Sequence, residues 1–186
     1  MKRKIILFSI ILIVVAGAGY YIWSDYKKIG PEENVSQPSL EREINITANI
    51  PEETKTMAGE KIEELRANLK ENDDLRSSWL DLASYYKLVG DYAGAEEVWK
   101  YMASKSDTDF VPYYNLATLY AYYLKDFSKA EEYFNKAIEK NPNYIATYAA
   151  FYDFYINYEK PDLAKSVLER GLQANPGNEE LTQLLQ

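Results

Sequence analysis

A period of 34 to 35 residues runs through positions 76–178, and no other feature of the chain narrows its fold as far. Trp79-x2-Leu82-Ala83-x2-Tyr86 is followed by Tyr113-x2-Leu116-Ala117-x2-Tyr120 and by Tyr148-x2-Phe151-Tyr152-x2-Tyr155, with starts 34 and 35 residues apart. The second half of each unit repeats as well: Ala95-x3-Trp99, Ala130-x3-Phe134-x2-Ala137 and Ala164-x3-Leu168-x2-Gly171, with Pro142 and Pro176 closing the last two. Intervals of three and four place each set on one face of a helix. A small Ala on the second helix lets the first approach closely, and the aromatic or Leu that follows fills the space between them. Gly90-Asp91, Lys125-Asp126 and Lys160-Pro161 separate the two halves, as expected where a glycine ends one helix or a proline opens the next. Each unit therefore reads as a helix hairpin.

Over residues 76–178 this pattern resembles the tetratricopeptide-repeat (TPR) family, whose Trp, Leu, Gly, Tyr, Ala, Phe and closing Pro recur every 34 residues. The resemblance implies an all-α solenoid with TPR 1 at 76–109, TPR 2 at 110–144 and TPR 3 at 145–178. Three departures stand out. The second unit has one extra residue between Tyr120 and Ala130, the first ends in Asp107 where Pro is usual, and the third has Tyr152 where a small residue is usual, which predicts a slightly wider helix pair. Ala58, Ile62, Leu65 and Leu69 recur at intervals of four, three and four, which predicts an amphipathic helix from Met57 to Glu71 inside an N-terminal cap, 57–75. At the other end Asn178, Glu179 and Glu180 can start a capping helix, 179–186, that presents Leu181, Leu184 and Leu185. Three units and two caps suffice for a solenoid, which is stabilised by burial between neighbours.

The N-terminus reads differently. A basic flank, residues 1–4 with Lys2, Arg3 and Lys4, precedes 19 uncharged residues from Ile5 to Trp23. At about 1.5 Å per residue that run nearly matches the ~30 Å hydrocarbon core, with Tyr20, Tyr21 and Trp23 where an aromatic belt sits. Residues 5–24 are read as a transmembrane signal-anchor helix. Ala16-Gly17-Ala18 leaves a second reading open, a signal peptide cleaved after Ala18 to release a secreted module. By the positive-inside rule the N-terminus stays cytoplasmic and the repeats lie on the far side of the membrane. Residues 25–56, interrupted by Pro31, Pro38 and Pro51, read as a flexible linker.

Composition bears on chemistry. With no Cys and no His the chain lacks thiolates, the usual general base and the commonest metal ligands. No catalytic residue, metal site or cofactor is expected. Residues 57–186 carry 22 acids against 14 bases, and no basic stripe offsets this acidity, so nucleic acid is not an expected partner. Glu96-Glu97 and Glu131-Glu132 lie beside Lys100 and Lys136 at helical spacing and read as solvated charge. What remains is a binding scaffold. The resemblance places its site in a concave groove lined by the first helix of each unit: Leu80, Ser84 and Lys87; Tyr114, Asn115, Thr118 and Tyr122; and Ala149, Asp153, Ile156 and Asn157. Such a mixture of rings, amides and acid suits a peptide or helix of a partner protein. Some TPR domains clamp a C-terminal carboxylate with Lys, Asn and Arg. Of those positions only Asn115 matches, and the others hold Leu80, Ser84, Ala146 and Ala150, so that function is not expected here. The expected role is a membrane-tethered scaffold in assembly of an envelope complex, with self-association as a further alternative.

Overall fold

Eight α-helices follow one another along residues 35–186, the part of the chain that the computed structural model describes, with no strand among them. The expected membrane helix of residues 5–24, its flank 1–4 and the start of the linker lie outside the described residues. Among those described, no helix is long and apolar enough to cross a membrane.

Helix α1, Glu52–Glu71, buries Ala58, Ile62, Leu65 and Leu69. It starts ahead of the expected Met57, because Pro51 at its N-cap and Glu52 and Glu53 in its first turn favour a helix start before the apolar period begins. Three hairpins follow: α2, Arg76–Leu88, with α3, Tyr92–Lys105; α4, Val111–Leu119, with α5, Phe127–Lys140; and α6, Ile145–Asn157, with α7, Pro161–Ala174. The short α8, Glu179–Leu184, is capped by Asn178, whose side chain accepts from the Leu181 N–H.

The recurring positions form the core. Trp79, Leu82, Ala83 and Tyr86, Tyr113, Leu116, Ala117 and Tyr120, and Tyr148, Phe151 and Tyr155 are all buried, while Tyr152 is half-buried. The crossing alanines Ala95, Ala130 and Ala164 are wholly buried. Across the second and third hairpins Phe134 stacks on Phe151 at 4.8 Å, and Phe151 on Tyr155 at 4.6 Å. Full burial of each such ring contributes roughly 1.5–3 kcal/mol. At the C-terminal end a Cβ on Gly171 would come within 2.8 Å of Leu181 and 3.0 Å of the Tyr148 ring. Its glycine therefore lets α7 approach both neighbours.

All three hairpins close alike. A residue with left-handed backbone ends the first helix (Gly90 at φ 84°, Lys125 at 57°, Glu159 at 55°). The next residue donates its N–H to the carbonyl of the signature tyrosine: Asp91 to Tyr86 at 2.8 Å, Asp126 to Tyr120 at 3.1 Å and Lys160 to Tyr155 at 2.9 Å. In the second hairpin this bond spans one residue more. The extra residue is absorbed as a π-helical turn, Tyr120–Leu124, that continues α4, as single insertions into helices often are.

Tyrosine hydroxyls tie each hairpin to the helix before it. Tyr120 donates to Glu96 and Tyr155 to Glu131, while the Tyr86 hydroxyl accepts from the buried Arg66 of α1. This corrects the reading of the glutamate pairs: Glu97 and Glu132 are exposed, but Glu96 and Glu131 are half-buried between hairpins. Burial works against ionisation of Glu96, yet the bonds from Lys100 and Tyr120 outweigh it and hold its pKa below the usual value. Burial and the bond to Glu96 in turn push the Tyr120 phenol well up, and Tyr155 is raised in the same way.

The linker reading is corrected for residues 36–50. They run extended over the first hairpin and form no strand. Arg42 grips the carboxylate of the buried Asp91 at 2.6 and 3.3 Å, and the Asn45 N–H adds a bond of 3.2 Å to it. Arg66 donates to the Arg42 carbonyl at 2.7 Å. Farther on, the N–H groups of Thr47 and Ala48 both reach the Val89 carbonyl at 3.0 Å, and the Thr47 hydroxyl donates to the Gly90 carbonyl at 2.8 Å. Two glycines make room. A Cβ on Gly90 would lie 2.4 Å from Thr47 Oγ1 and 2.6 Å from the Ala48 nitrogen, and one on Gly94 would lie 1.9 Å from Arg42 Nη1. Polar and Pro-containing composition indicated flexibility, but hydrogen bonds to one buried carboxylate and one helix end hold the segment down.

Candidate functional site

The expected groove residues come from the first helices of the three hairpins, and none of them is buried. In α2, Leu80 and Lys87 are half-buried and Ser84 is exposed, its hydroxyl donating to the Leu80 carbonyl at 2.8 Å. In α4 and its π turn, Tyr114, Asn115 and Thr118 are half-buried, and Thr118 donates to the Asn115 carbonyl at 2.9 Å. Tyr122 is exposed and reaches across to the Ala150 carbonyl of α6 at 3.4 Å. In α6, Ala149 is half-buried, and Asp153, Ile156 and Asn157 are exposed.

Four of these residues line two separate concavities. Ser84 and Lys87 line a cleft of about 720 Å³ together with Tyr85, Leu88, Tyr92, Tyr123 and residues 48–50 of the N-terminal segment. Tyr122 and Asn157 line a smaller one of about 330 Å³ with Ala121, Lys125, Phe154 and Tyr158. Tyr114 and Asp153 line neither, but both act on the Tyr122 phenol, whose pKa is raised first by burial and then by Asp153 and Tyr114. Burial likewise raises Tyr114, which meets Tyr144 edge-on at 6.0 Å. Leu80, Asn115, Thr118 and Ile156 line neither cavity.

Sequence reasoning missed the other walls. Tyr123, Tyr92 and Leu88 line the larger cleft, as do Ala48, Asn49 and Ile50. The extra residue of the second unit was the signal for Tyr123: in the π turn, consecutive tyrosines serve different cavities, Tyr122 the smaller and Tyr123 the larger. The ammonium of Lys87 lies 5.7 Å from the centre of the Trp99 ring and 5.9 Å from that of Tyr123, and Tyr92 meets Tyr123 at 5.0 Å. Burial lowers the Lys87 pKa from its ordinary value. No group of three acidic, Cys or His residues among the described residues is placed to hold a metal ion.

The residues that carried the family resemblance pack within these hairpins, with a buried alanine at each crossing. Residues 121–186 match the tetratricopeptide repeat family. Among solved structures the chain is similar to that titled "Crystal structure of MamA", at 22% identity and a TM-score of 0.54, over 75% of this chain and 82% of that one. At that identity the likeness is one of fold. No curated protein matches the chain. Tetratricopeptide repeats suggest a protein–protein interaction module, and domains built from them generally bind protein partners.

Proposed function

We propose that this chain is a membrane-tethered scaffold that binds a peptide or helix of a partner protein along the first-helix face of its repeats, in assembly of an envelope complex, and that it catalyses nothing. The observation that carries this reading is the surface of α2, α4 and α6. There the aromatic area of Tyr114, Tyr122 and Tyr123 remains accessible beside Asn115, Asp153 and Asn157, on helices whose opposite faces are locked in the core. Rigid rings present apolar area with little entropy to lose, and amides can bond a peptide backbone. The tether rests on the uncharged run Ile5–Trp23 behind Lys2, Arg3 and Lys4. The absence of Cys and His supports a non-catalytic role.

The test captures tagged full-length chain from gently solubilised membranes beside a Tyr114→Ala/Tyr122→Ala variant, with bound proteins identified and the intact mass of the chain measured. A partner held by the parent and lost by the folded variant, with residues 1–24 present in the mass, is the expected result. An unchanged set of bound proteins would remove the groove from the account. A mass beginning near Gly19 would replace the tether with secretion.

A further inference from the structure

The larger cleft sets one cation among aromatic side chains. Of its lining residues Lys87 alone is charged, on a domain where acids outnumber bases. Four lysines of the helices, Lys61, Lys70, Lys100 and Lys136, lie 2.6–3.0 Å from a carboxylate. Among the described residues no carboxylate lies within ion-pair distance of Lys87, whose ammonium instead sits between the Trp99 and Tyr123 rings. The position is specific to the first hairpin, since the residue after the signature tyrosine is Lys87 there but Ala121 and Ile156 in the others. Beside the cation, Leu88, Tyr92 and Tyr123 form an apolar wall, with Leu88 and Tyr123 exposed. Asn49, in the pinned N-terminal segment, lines the same cleft and is exposed. A half-buried cation without an anion, next to rings and an exposed amide, is complementary to a carboxylate on an apolar peptide.

We propose that this cleft receives an extended peptide of a partner protein, with an Asp or Glu side chain on the Lys87 ammonium, a neighbouring apolar side chain against Tyr92 and Tyr123, and the peptide backbone bonded by Asn49. The inference rests on the groove-binding reading and gives its ligand a chemistry. The N-terminal segment then has a second role, since residues 48–50 supply one wall of the site. Binding depends on their being held by the Val89, Gly90 and Asp91 bonds.

The test pans a displayed random heptapeptide library, its peptides fused at the C-terminus so that only side-chain carboxylates are offered, against the full-length chain in detergent. Parent, Lys87→Met, Lys87→Arg, Tyr123→Ala and Tyr114→Ala/Tyr122→Ala are compared, with thermal melts to show that each is folded. The parent is expected to enrich peptides that carry Asp or Glu beside an aromatic or aliphatic residue. Lys87→Met should lose that acidic preference and bind the winning peptide about tenfold more weakly, the worth of one charge-assisted contact. Lys87→Arg should keep the preference, and Tyr123→Ala should relax the choice of apolar neighbour. Enrichment by the parent without acidic preference, or the same acidic set on Lys87→Met, would overturn this proposal and leave groove binding standing. No enrichment by the parent strikes at the groove reading itself, whereas Tyr114→Ala/Tyr122→Ala, changed at residues that do not line this cleft, should keep the parent's acidic set. A parent that binds no peptide but dimerises through Lys87 would put a second copy in the cleft and overturn the proposal as well.

Discussion

The loop of the first hairpin and the loop of the second close in the same left-handed way and have opposite surroundings. Both end a helix in the left-handed region, and both use an aspartate as N-cap of the next helix, Asp91 bonding the Gly94 N–H and Asp126 the Lys129 N–H. Yet Asp91 is buried under Arg42 and Asn45, whereas Asp126 is half-exposed with Lys129 at 3.9 Å. The two loops differ at the positions that the N-terminal segment covers: Gly90 and Gly94 in the first, Lys125 and Lys129 in the second. The third hairpin has Glu159 and Leu163 there. A lysine or glutamate tolerates the left-handed turn, so the turn alone does not require glycine. The space that the segment occupies does.

Removing the capping carboxylates breaks the comparison most strongly. Asp91→Ala leaves the part-buried Arg42 with only the longer contact to Glu97 at 3.8 Å and is expected to cost about 3 kcal/mol in chemical denaturation. Asp126→Ala, which loses a cap on an exposed loop, is expected to cost about 1 kcal/mol. Equal losses would mean that the segment adds nothing. Next comes the exchange of loop residues. Gly90→Lys forces Thr47 and Ala48 off the hairpin and should cost about 2 kcal/mol, while Lys125→Gly, with nothing packed over it, should stay within about 0.5 kcal/mol. Hydrogen exchange at the Thr47 and Ala48 amides should accelerate in the first variant alone.

Two smaller effects sharpen the picture away from the loops. The Tyr120 phenol is raised above its ordinary value of 10 in the folded chain, so the stability it contributes is present below pH 10 and is lost as pH rises above that value. Melting temperatures of the parent should fall in that alkaline range, and Tyr120→Phe should flatten the fall at a cost of about 1 kcal/mol at neutral pH. The smallest expected effect is at Lys87. Because burial lowers its pKa, the charged form is disfavoured by folding, and Lys87→Met should raise neutral-pH stability by about 0.5 kcal/mol, as at sites kept for binding rather than stability. A loss of stability there would make Lys87 a packing residue.

How much of this was legible in the sequence depends on the range of the contact involved. The hairpins were legible because Trp79, Leu82 and Tyr86 and their counterparts carry a period that only buried helix faces impose. The hold on residues 36–50 was not. Its determinants are Asp91, Gly90 and Gly94, and each has a local reading, as cap or helix end, that hides a partner more than 40 positions away. Glu96 and Glu131 misled in the same manner, since a lysine four residues on accounts for Glu96 locally while its other bond runs to the next hairpin. For the site, the choice of the first helices put Ser84, Lys87 and Tyr122 beside cavities. Tyr123 was hidden because an inserted residue reads as extra loop, and only the π turn reveals which way the tandem tyrosines divide.

The central claim, that the first-helix face binds a partner protein, is tested most directly by a photo-crosslinking residue at Tyr122 in the full-length chain in cells, compared with the same residue at the exposed Lys165 of α7. The account predicts a discrete cross-linked protein from position 122 that is absent from position 165. Cross-links from Lys165 alone, or the same products from both positions, would contradict it.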